Sequence, residues 1–210
     1  MTEFINTFTN ARQVALDDVI SGWLASGGFG APHLATASIT PVPTTANGRY
    51  QKLVSEGELF LRFIPPCDWY EVAFDPAWFS KVMLIEEESW WHDSVQGDRR
   101  LIRRIDPTTL PPKHRERVES LRAQPSLNAL LHRKAVLFGH STTDNWSILD
   151  GNHRLLAIAC QHLLDGRQLE PFSVFVGQSL GPCRWHGDPV EWQERPERAP
   201  GERRYILKVW

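Results

Sequence analysis

Short apolar runs in the second half of the chain predict buried strands around one amphipathic helix. The runs cover Ala135 to Phe138, Trp146 to Leu149 and Phe172 to Val176, and polar residues or glycine bound them, as in buried strands. Apolar residues recur at helical spacing from about Gly151 to Leu164, and Gly166 is suited to close this helix. The chain therefore predicts two strands, a helix and a third strand in this order.

The same pattern predicts further elements elsewhere in the chain. Helices are expected at residues 14 to 24, 113 to 123 and 126 to 133, and strands at 59 to 64, at 82 to 85 and, as a late edge strand, at 205 to 209. An aromatic group lies between two of these strands: Trp69, Tyr70, Phe74, Trp78 and Phe79. We interpret it as part of the core, and stacking on a ligand ring is the alternative.

Charge is unevenly distributed between two neighbouring stretches. The formal net charge of −2 argues against a domain whose main task is to coat nucleic acid. Residues 68 to 93 carry seven acidic side chains and one lysine, whereas residues 99 to 134 carry ten Arg or Lys side chains and three acidic ones. The second stretch is expected to attract an anionic ligand, and two solvated surfaces of opposite charge are the alternative.

Cysteine spacing and the length of the apolar runs favour a cytoplasmic protein. Three widely spaced cysteines do not form a disulfide framework. No apolar run is long enough to cross a bilayer, and the start of the chain lacks the pattern of a secretory signal, so we expect no membrane partner. Neither Cys160 with His162 nor Cys183 with His186 has the spacing of a structural zinc site, so the sequence predicts no metal site.

The strand that ends at Leu149 leads into the turn DGNHR, Asp150 to Arg154, where the helix begins. The first N–H groups of a helix have no partner within the helix and carry a partial positive charge, which suits phosphate oxygens. Gly151 lets the backbone approach such a ligand, while Asn152, His153 and Arg154 add an amide, an imidazole and a guanidinium. We interpret the turn as a phosphate site. An Asp150 helix cap followed by polar surface side chains is the alternative.

The segment SILDGNHRLLAIA resembles the ParB/sulfiredoxin superfamily, whose signature is a strand, Asp or Gly, Gly, a variable residue, His or Arg, Arg, and an apolar helix. The helix upstream, at 110 to 121, the second short helix and the strand from Ala135 follow the order of that family, so the resemblance covers about residues 82 to 176. It implies an α/β (α+β) fold with a small mixed sheet and flanking helices, extended at both termini. We expect an N-terminal helix and connector at 1 to 50, the core domain at 51 to 180 and a C-terminal extension at 181 to 210.

The resemblance also implies a ligand, which is ATP or another nucleoside triphosphate with Mg²⁺. The family's phosphate-contacting positions correspond to Gly151, Asn152, His153 and Arg154. Asp150 matches the Asp of the kinase-like version DGHHR, and Asn152 replaces the first His of that version. Asp150 and His153 are therefore the expected catalytic residues of the turn.

Two other segments provide candidates. A Glu near the first strand of the domain is the base in the free-serine-kinase members of the family, so Glu86, Glu87 and Glu88 are candidate bases, and an acidic surface loop is the alternative. In the turn before Trp146, the side chains of Thr142 and Thr143, with those of His140 and Ser141, are expected to reach the phosphates, and a plain hairpin loop is the alternative. The basic residues from 99 to 104 are expected to add positive charge to the site.

The leading expectation is a nucleotide-dependent phosphotransferase or NTPase that acts on a small metabolite. A non-catalytic module that senses nucleotide or binds a partner is the second hypothesis, and a ParB-like nuclease is the third. The residues after the motif lack a helix-turn-helix pattern and a coiled coil, which argues against a DNA clamp. Asn152 stands where sulfiredoxins have a cysteine, which argues against a sulfinic-acid reductase.

Overall fold

The structure is a computed structural model of the 210-residue chain. It describes residues 10–25, 43–55, 64–85, 100–124, 134–141, 144–188, 192–195 and 204–207. The predicted helix at 126 to 133 and the predicted strand at 59 to 64, apart from Ile64, lie outside these ranges, as do the candidate residues Glu86, Glu87, Glu88, Thr142 and Thr143. Within the described residues the fold is mixed α/β, with a six-stranded mixed sheet and four α-helices.

The six-stranded sheet contains parallel and antiparallel neighbours. Its strands are β1 (Arg12–Val14), β2 (Asp68–Ala73), β3 (Val82–Met83), β4 (Val136–Gly139), β5 (Trp146–Asp150) and β6 (Ser173–Gln178). Their order across the sheet is β1-β2-β6-β4-β5-β3. β4 is parallel to β6 and β5 is parallel to β3, whereas the other neighbouring strands are antiparallel.

The centre of the sheet consists of the strands that the short apolar runs predicted. All four residues of β4 are buried, as are the first four of β5 and the middle four of β6. Strands covered on both faces have continuous apolar runs instead of an alternating pattern, which is why these runs were recognisable. The three strand predictions are confirmed.

Four α-helices lie among the described residues: α1 (Leu16–Ala25), α2 (Ala46–Ser55), α3 (Pro112–Arg122) and α4 (Asn152–Leu163). α1 buries the apolar face that its spacing predicted, including Val19 and Trp23. Asp17 of α1 and Arg49 of α2 form an ion pair that joins these two helices. None of the helices in the described part of the chain has the length and apolar character needed to cross a bilayer.

The aromatic group belongs to the core, as the sequence predicted. Trp69, Tyr70, Phe74 and Phe79 are buried, and Trp78 packs against them from a partly buried position. The strand β2, which carries the first two of these aromatic residues, was not predicted. Its central residues are buried without a clean alternation, so the pattern could not distinguish a strand from an irregular aromatic segment.

Segments outside the predicted core domain contribute to the same core. β1 is an edge strand of the six-stranded sheet and α1 packs on it, although both precede residue 51. Beyond residue 180, Cys183 and Trp185 are buried in the same core. The late strand β8 (Arg204–Leu207) pairs with β7 (Trp192–Arg195) in a separate two-stranded sheet and so does not extend the larger one.

Candidate functional site

The helices α3 and α4 lie side by side and run in the same direction. At their first turns, Nδ1 of His114 lies 2.9 Å from Nε2 of His153. At their last turns, the Gln161 side chain donates to the carbonyl oxygen of Arg122 at 2.5 Å, and Arg122 also forms an ion pair with Asp165. Both N-terminal ends therefore lie on the same side, where the partial positive charges of two helix dipoles add.

The backbone of the DGNHR turn has a conformation that favours glycine at Gly151. Gly151 precedes α4 in the left-handed region, with φ 93°. A Cβ at this position would lie 2.9 Å from Nη2 of Arg154 and 3.1 Å from Cβ of Ala135. The carbonyl of Gly151 accepts the first helical hydrogen bond, from the N–H of Leu155 at 2.8 Å. Residues 152 to 154 therefore form the first turn of the helix.

Asp150 does not cap the helix. The residue at the N-cap position is Gly151, without a side-chain cap bond, and Asp150 is the last residue of β5. The carboxylate of Asp150 lies 3.3 Å from Nη2 of Arg154, and the two side chains are 17% and 13% exposed. The alternative interpretation of Asp150 as a helix cap is wrong, because its carboxylate reaches the guanidinium four residues later.

The side chain of Asn152 is turned into the core. It is 5% exposed, its Oδ1 accepts from the backbone N–H of Ile85 at 3.0 Å, and its Nδ2 donates to the carbonyl of Ile148 at 3.3 Å. These bonds join the motif to β5 and to the residue that precedes the Glu86 to Glu88 segment. A ligand contact from Asn152 would therefore come from its backbone N–H.

The histidine pair lies in a positive environment. Burial is the largest cause that lowers the pKa of His153 to about 3, and the neighbouring His114, Arg117 and Lys113 lower it further. The pKa of His114 is also lowered, first by burial and then by Lys113 and Arg117. Both rings are therefore neutral near pH 7, and in the pair one ring donates to the other. Removing positive charge or adding an anion would relieve the unfavourable field.

The basic stretch is divided between different places. Arg100 is buried, and its guanidinium donates to the carbonyl of Leu84 at 2.6 and 2.9 Å and to Oγ of Ser147 at 3.3 Å. Arg103 and Arg104 are exposed on a short 3-10 helix. Arg100 therefore acts as a buried structural clamp, a role that its position in a run of charges did not suggest.

The turn between β4 and β5 lies at the far end of β5 from the motif. Phe138 pairs with Ser147 and Val136 pairs with Asp150, so His140 and Ser141 follow β4 at the edge where β5 begins. His140 lies there beside two residues that the sequence did not single out together, His186 and Asp188. In the sequence, His186 and Asp188 are two positions apart, and this short separation was the only signal. His140 precedes His186 by 46 residues, so the sequence did not group the three.

Searches with this chain against family models, curated proteins and solved structures found no match. The resemblance to the ParB/sulfiredoxin superfamily therefore rests on the DGNHR segment and on the order of the neighbouring elements.

Proposed function

We propose that the chain binds a nucleoside triphosphate with its polyphosphate at the first turns of α3 and α4, and that it acts as a nucleotide-dependent phosphotransferase or NTPase on a small metabolite. One observation carries the proposal: two parallel helices meet at their N-terminal turns, where His114 and His153 are 2.9 Å apart. Lys113 and Arg117 add positive charge at the same place. This arrangement attracts a multiply charged anion.

The turn fits a phosphate group. Gly151 has no Cβ, which leaves space beside the guanidinium of Arg154. That guanidinium presents a planar fork of donors that matches phosphate oxygens, and Asp150 holds it in place at 3.3 Å. A phosphate that binds here competes with Asp150 for Arg154. Its binding would free the Asp150 carboxylate, a hard oxygen ligand, for the Mg²⁺ that accompanies the nucleotide.

His153 supplies the second chemical group of the site. The ring is neutral near pH 7, since burial lowers its pKa to about 3. Negative charge from a polyphosphate beside the pair would raise this pKa towards the range of a general base. In phosphoryl transfer, positioning of the reactants and neutralisation of charge contribute most to the rate. The role assigned to His153 is therefore to orient the attacking hydroxyl and to accept its proton.

Glu86, Glu87 and Glu88 stay in the proposal as candidate bases, as alternatives to His153 for accepting this proton. Ile85, the described residue that precedes them, hydrogen-bonds with Asn152 inside the motif. This contact supports an approach of the chain to the turn at that point. The ParB/sulfiredoxin fold is part of the same proposal, supported by the succession of α3, β4, β5, the DGNHR turn and α4 along the chain.

The test is calorimetric titration of the full chain with ATP, CTP, GTP and ADP in the presence of Mg²⁺, followed by analysis of released phosphate and nucleotide. Arg154→Ala should lower the affinity roughly 10- to 100-fold, as expected for the loss of a charge-assisted bond of about 1.5–3 kcal/mol. The matched control is Arg167→Ala, which removes the same charge near the other end of α4, where Arg167 donates to the carbonyl of Gln124.

The outcomes separate the hypotheses. Binding that depends on Arg154, with slow turnover of nucleotide, supports the phosphotransferase or NTPase. Binding without turnover would identify a nucleotide-sensing module instead, and strongly salt-dependent binding to DNA would favour the nuclease. If no nucleotide binds, or if Arg154→Ala and Arg167→Ala behave alike, the proposed phosphate site is wrong.

A further inference from the structure

A second group of chemically active side chains lies at the sheet edge opposite to the DGNHR turn. β5 begins at this edge and ends at Asp150, and a strand of five residues spans roughly 14 Å. His140 follows β4, and His186 and Asp188 lie in the chain that returns after β6. The group is therefore separate from the proposed phosphate site, and a role for one site does not depend on a role for the other.

Ligand atoms of the three side chains lie close together. One ring nitrogen of His140, one of His186 and a carboxylate oxygen of Asp188 all lie within 4.8 Å of one another. Nε2 of His140 is 2.8 Å from Oδ2 of Asp188, and the two imidazole rings are perpendicular with centroids 5.0 Å apart. Atoms that share one zinc ion at about 2.0–2.2 Å lie roughly 3–4 Å apart, so small side-chain movements suffice to surround an ion.

Each of these side chains is oriented by a further hydrogen bond. Nδ1 of His140 donates to the carbonyl of Ser179 at 2.7 Å, and Nδ1 of His186 lies 3.1 Å from Oγ of Ser147. Oδ2 of Asp188 accepts from the backbone N–H of Cys183 at 2.7 Å. Such outer contacts fix the rings of metal-binding histidines and leave Nε2 directed at the ion.

In the contact between His140 and Asp188, two acceptor atoms can face each other. Because the carbonyl oxygen of Ser179 can only accept, the hydrogen of a neutral His140 ring is on Nδ1. Nε2 then carries a lone pair and faces a carboxylate oxygen at 2.8 Å. A metal ion that binds both atoms satisfies this pair of acceptors.

The surrounding charges have both signs. Asp144 and Asp188 are the acidic groups that act on His186, and His140 and Arg100 are the basic ones. The guanidinium of Arg100 is hydrogen-bonded to the backbone carbonyl oxygens of Leu84 and Trp185. Its charge is therefore partly offset, and the two carboxylates can balance that of a divalent ion.

We propose that His140, His186 and Asp188 bind one divalent transition-metal ion, with Zn²⁺ the preferred species. Two imidazoles and one carboxylate favour zinc and its neighbours over Mg²⁺ and Ca²⁺, which prefer oxygen ligands alone. Three protein ligands leave a fourth position for water or for an anionic ligand, the arrangement of zinc sites with an open coordination position.

The experiment uses the tag-free full chain, dialysed against a chelator and titrated with Zn²⁺ by calorimetry and with Co²⁺ by visible absorption. We expect one equivalent of metal and the absorption of four-coordinate Co²⁺. His140→Gln and Asp188→Asn should each lower the affinity by more than the roughly 10- to 100-fold that outer contacts contribute, and Ser147→Ala should lower it within that range.

His162→Gln is the matched control, because His162 lies on α4 and bonds to the carbonyl of Arg167 away from the cluster. It should bind metal as the unmodified chain does. A Zn²⁺-dependent rise in the melting temperature of the unmodified chain provides a readout that needs no variant. Absence of Co²⁺ binding, equal binding by His140→Gln and His162→Gln, or a preference for Mg²⁺ would each overturn the proposal.

Discussion

The buried side chain of Asn152 accepts a hydrogen bond from the backbone N–H of Ile85 at 3.0 Å, and this bond ties the DGNHR turn to the chain that leaves β3. The two residues are 67 positions apart. Because the same side chain also donates to the carbonyl of Ile148, one amide fixes the turn against β5 and against the segment that follows β3.

Asn152→Ala should destabilise the fold by about 1–3 kcal/mol, because it leaves the buried N–H of Ile85 without its acceptor. The measurement is urea unfolding followed by tryptophan fluorescence. Gln124→Ala is the control, since its amide is exposed and bonds weakly to the carbonyl of Ser120 at 3.4 Å. A loss for Asn152→Ala as small as that of the control would contradict the anchoring role.

Gly151→Ala and Gly166→Ala distinguish backbone strain from a crowded site. Both glycines have positive φ, but a Cβ at Gly166 meets nothing within 4 Å, whereas one at Gly151 meets Arg154 and Ala135. Gly166→Ala should cost about 1–2 kcal/mol from conformation alone and leave nucleotide affinity unchanged. Gly151→Ala should cost more and also weaken nucleotide binding. Urea unfolding and calorimetric titration test both, and equal effects of the two variants on binding would argue against a ligand at Gly151.

Stability should fall as the solution becomes more acidic than about pH 6.5, the ordinary pKa of histidine. Burial lowers the pKa of His153 in the folded chain to about 3, so between these values the unfolded chain binds the proton more strongly. The pKa of His114 is lowered too and acts in the same direction. In this window each histidine lowers the free energy of unfolding by at most about 1.4 kcal/mol for each pH unit of acidification. Above the window neither histidine lowers it.

The measurement for this pH dependence is the free energy of unfolding in urea between about pH 5 and 8. The double variant His114→Gln with His153→Gln should have a flatter profile than the unmodified chain. His162→Gln, which removes a histidine outside the pair, serves as the control. If the free energy of unfolding of the double variant kept the same slope with pH, other titratable groups would be the cause of the loss of stability in acid.

Arg100→Met should destabilise the fold by about 2–4 kcal/mol, because it keeps most of the volume but removes charged hydrogen bonds to buried carbonyls. Those carbonyls include that of Leu84 in the chain after β3 and that of Trp185 next to His186. Arg103→Met, at an exposed position, should change stability by less than about 0.5 kcal/mol. Urea unfolding measures the stability of both variants. Similar free energies of unfolding for the two would exclude the structural role of Arg100.

The sequence by itself determined the local elements that depend on neighbouring residues. The apolar runs of β4, β5 and β6 and the amphipathic spacing of α1, α3 and α4 were predicted, because each follows from side chains within a few positions. The strand β2 escaped prediction, since Asp68 and Glu71 interrupt its apolar residues and leave neither a continuous apolar run nor a clean alternation.

Only the tertiary structure decided which of these elements meet. The parallel packing of α3 and α4 brings His114 to His153, and the strand order places Asn152 against Ile85. The group of His140, His186 and Asp188 likewise depends on chain segments that come together at one edge of the sheet. Each of these arrangements joins segments that are 39 or more positions apart, and burial and strand pairing across the whole core select them, so no local pattern of residues encodes them.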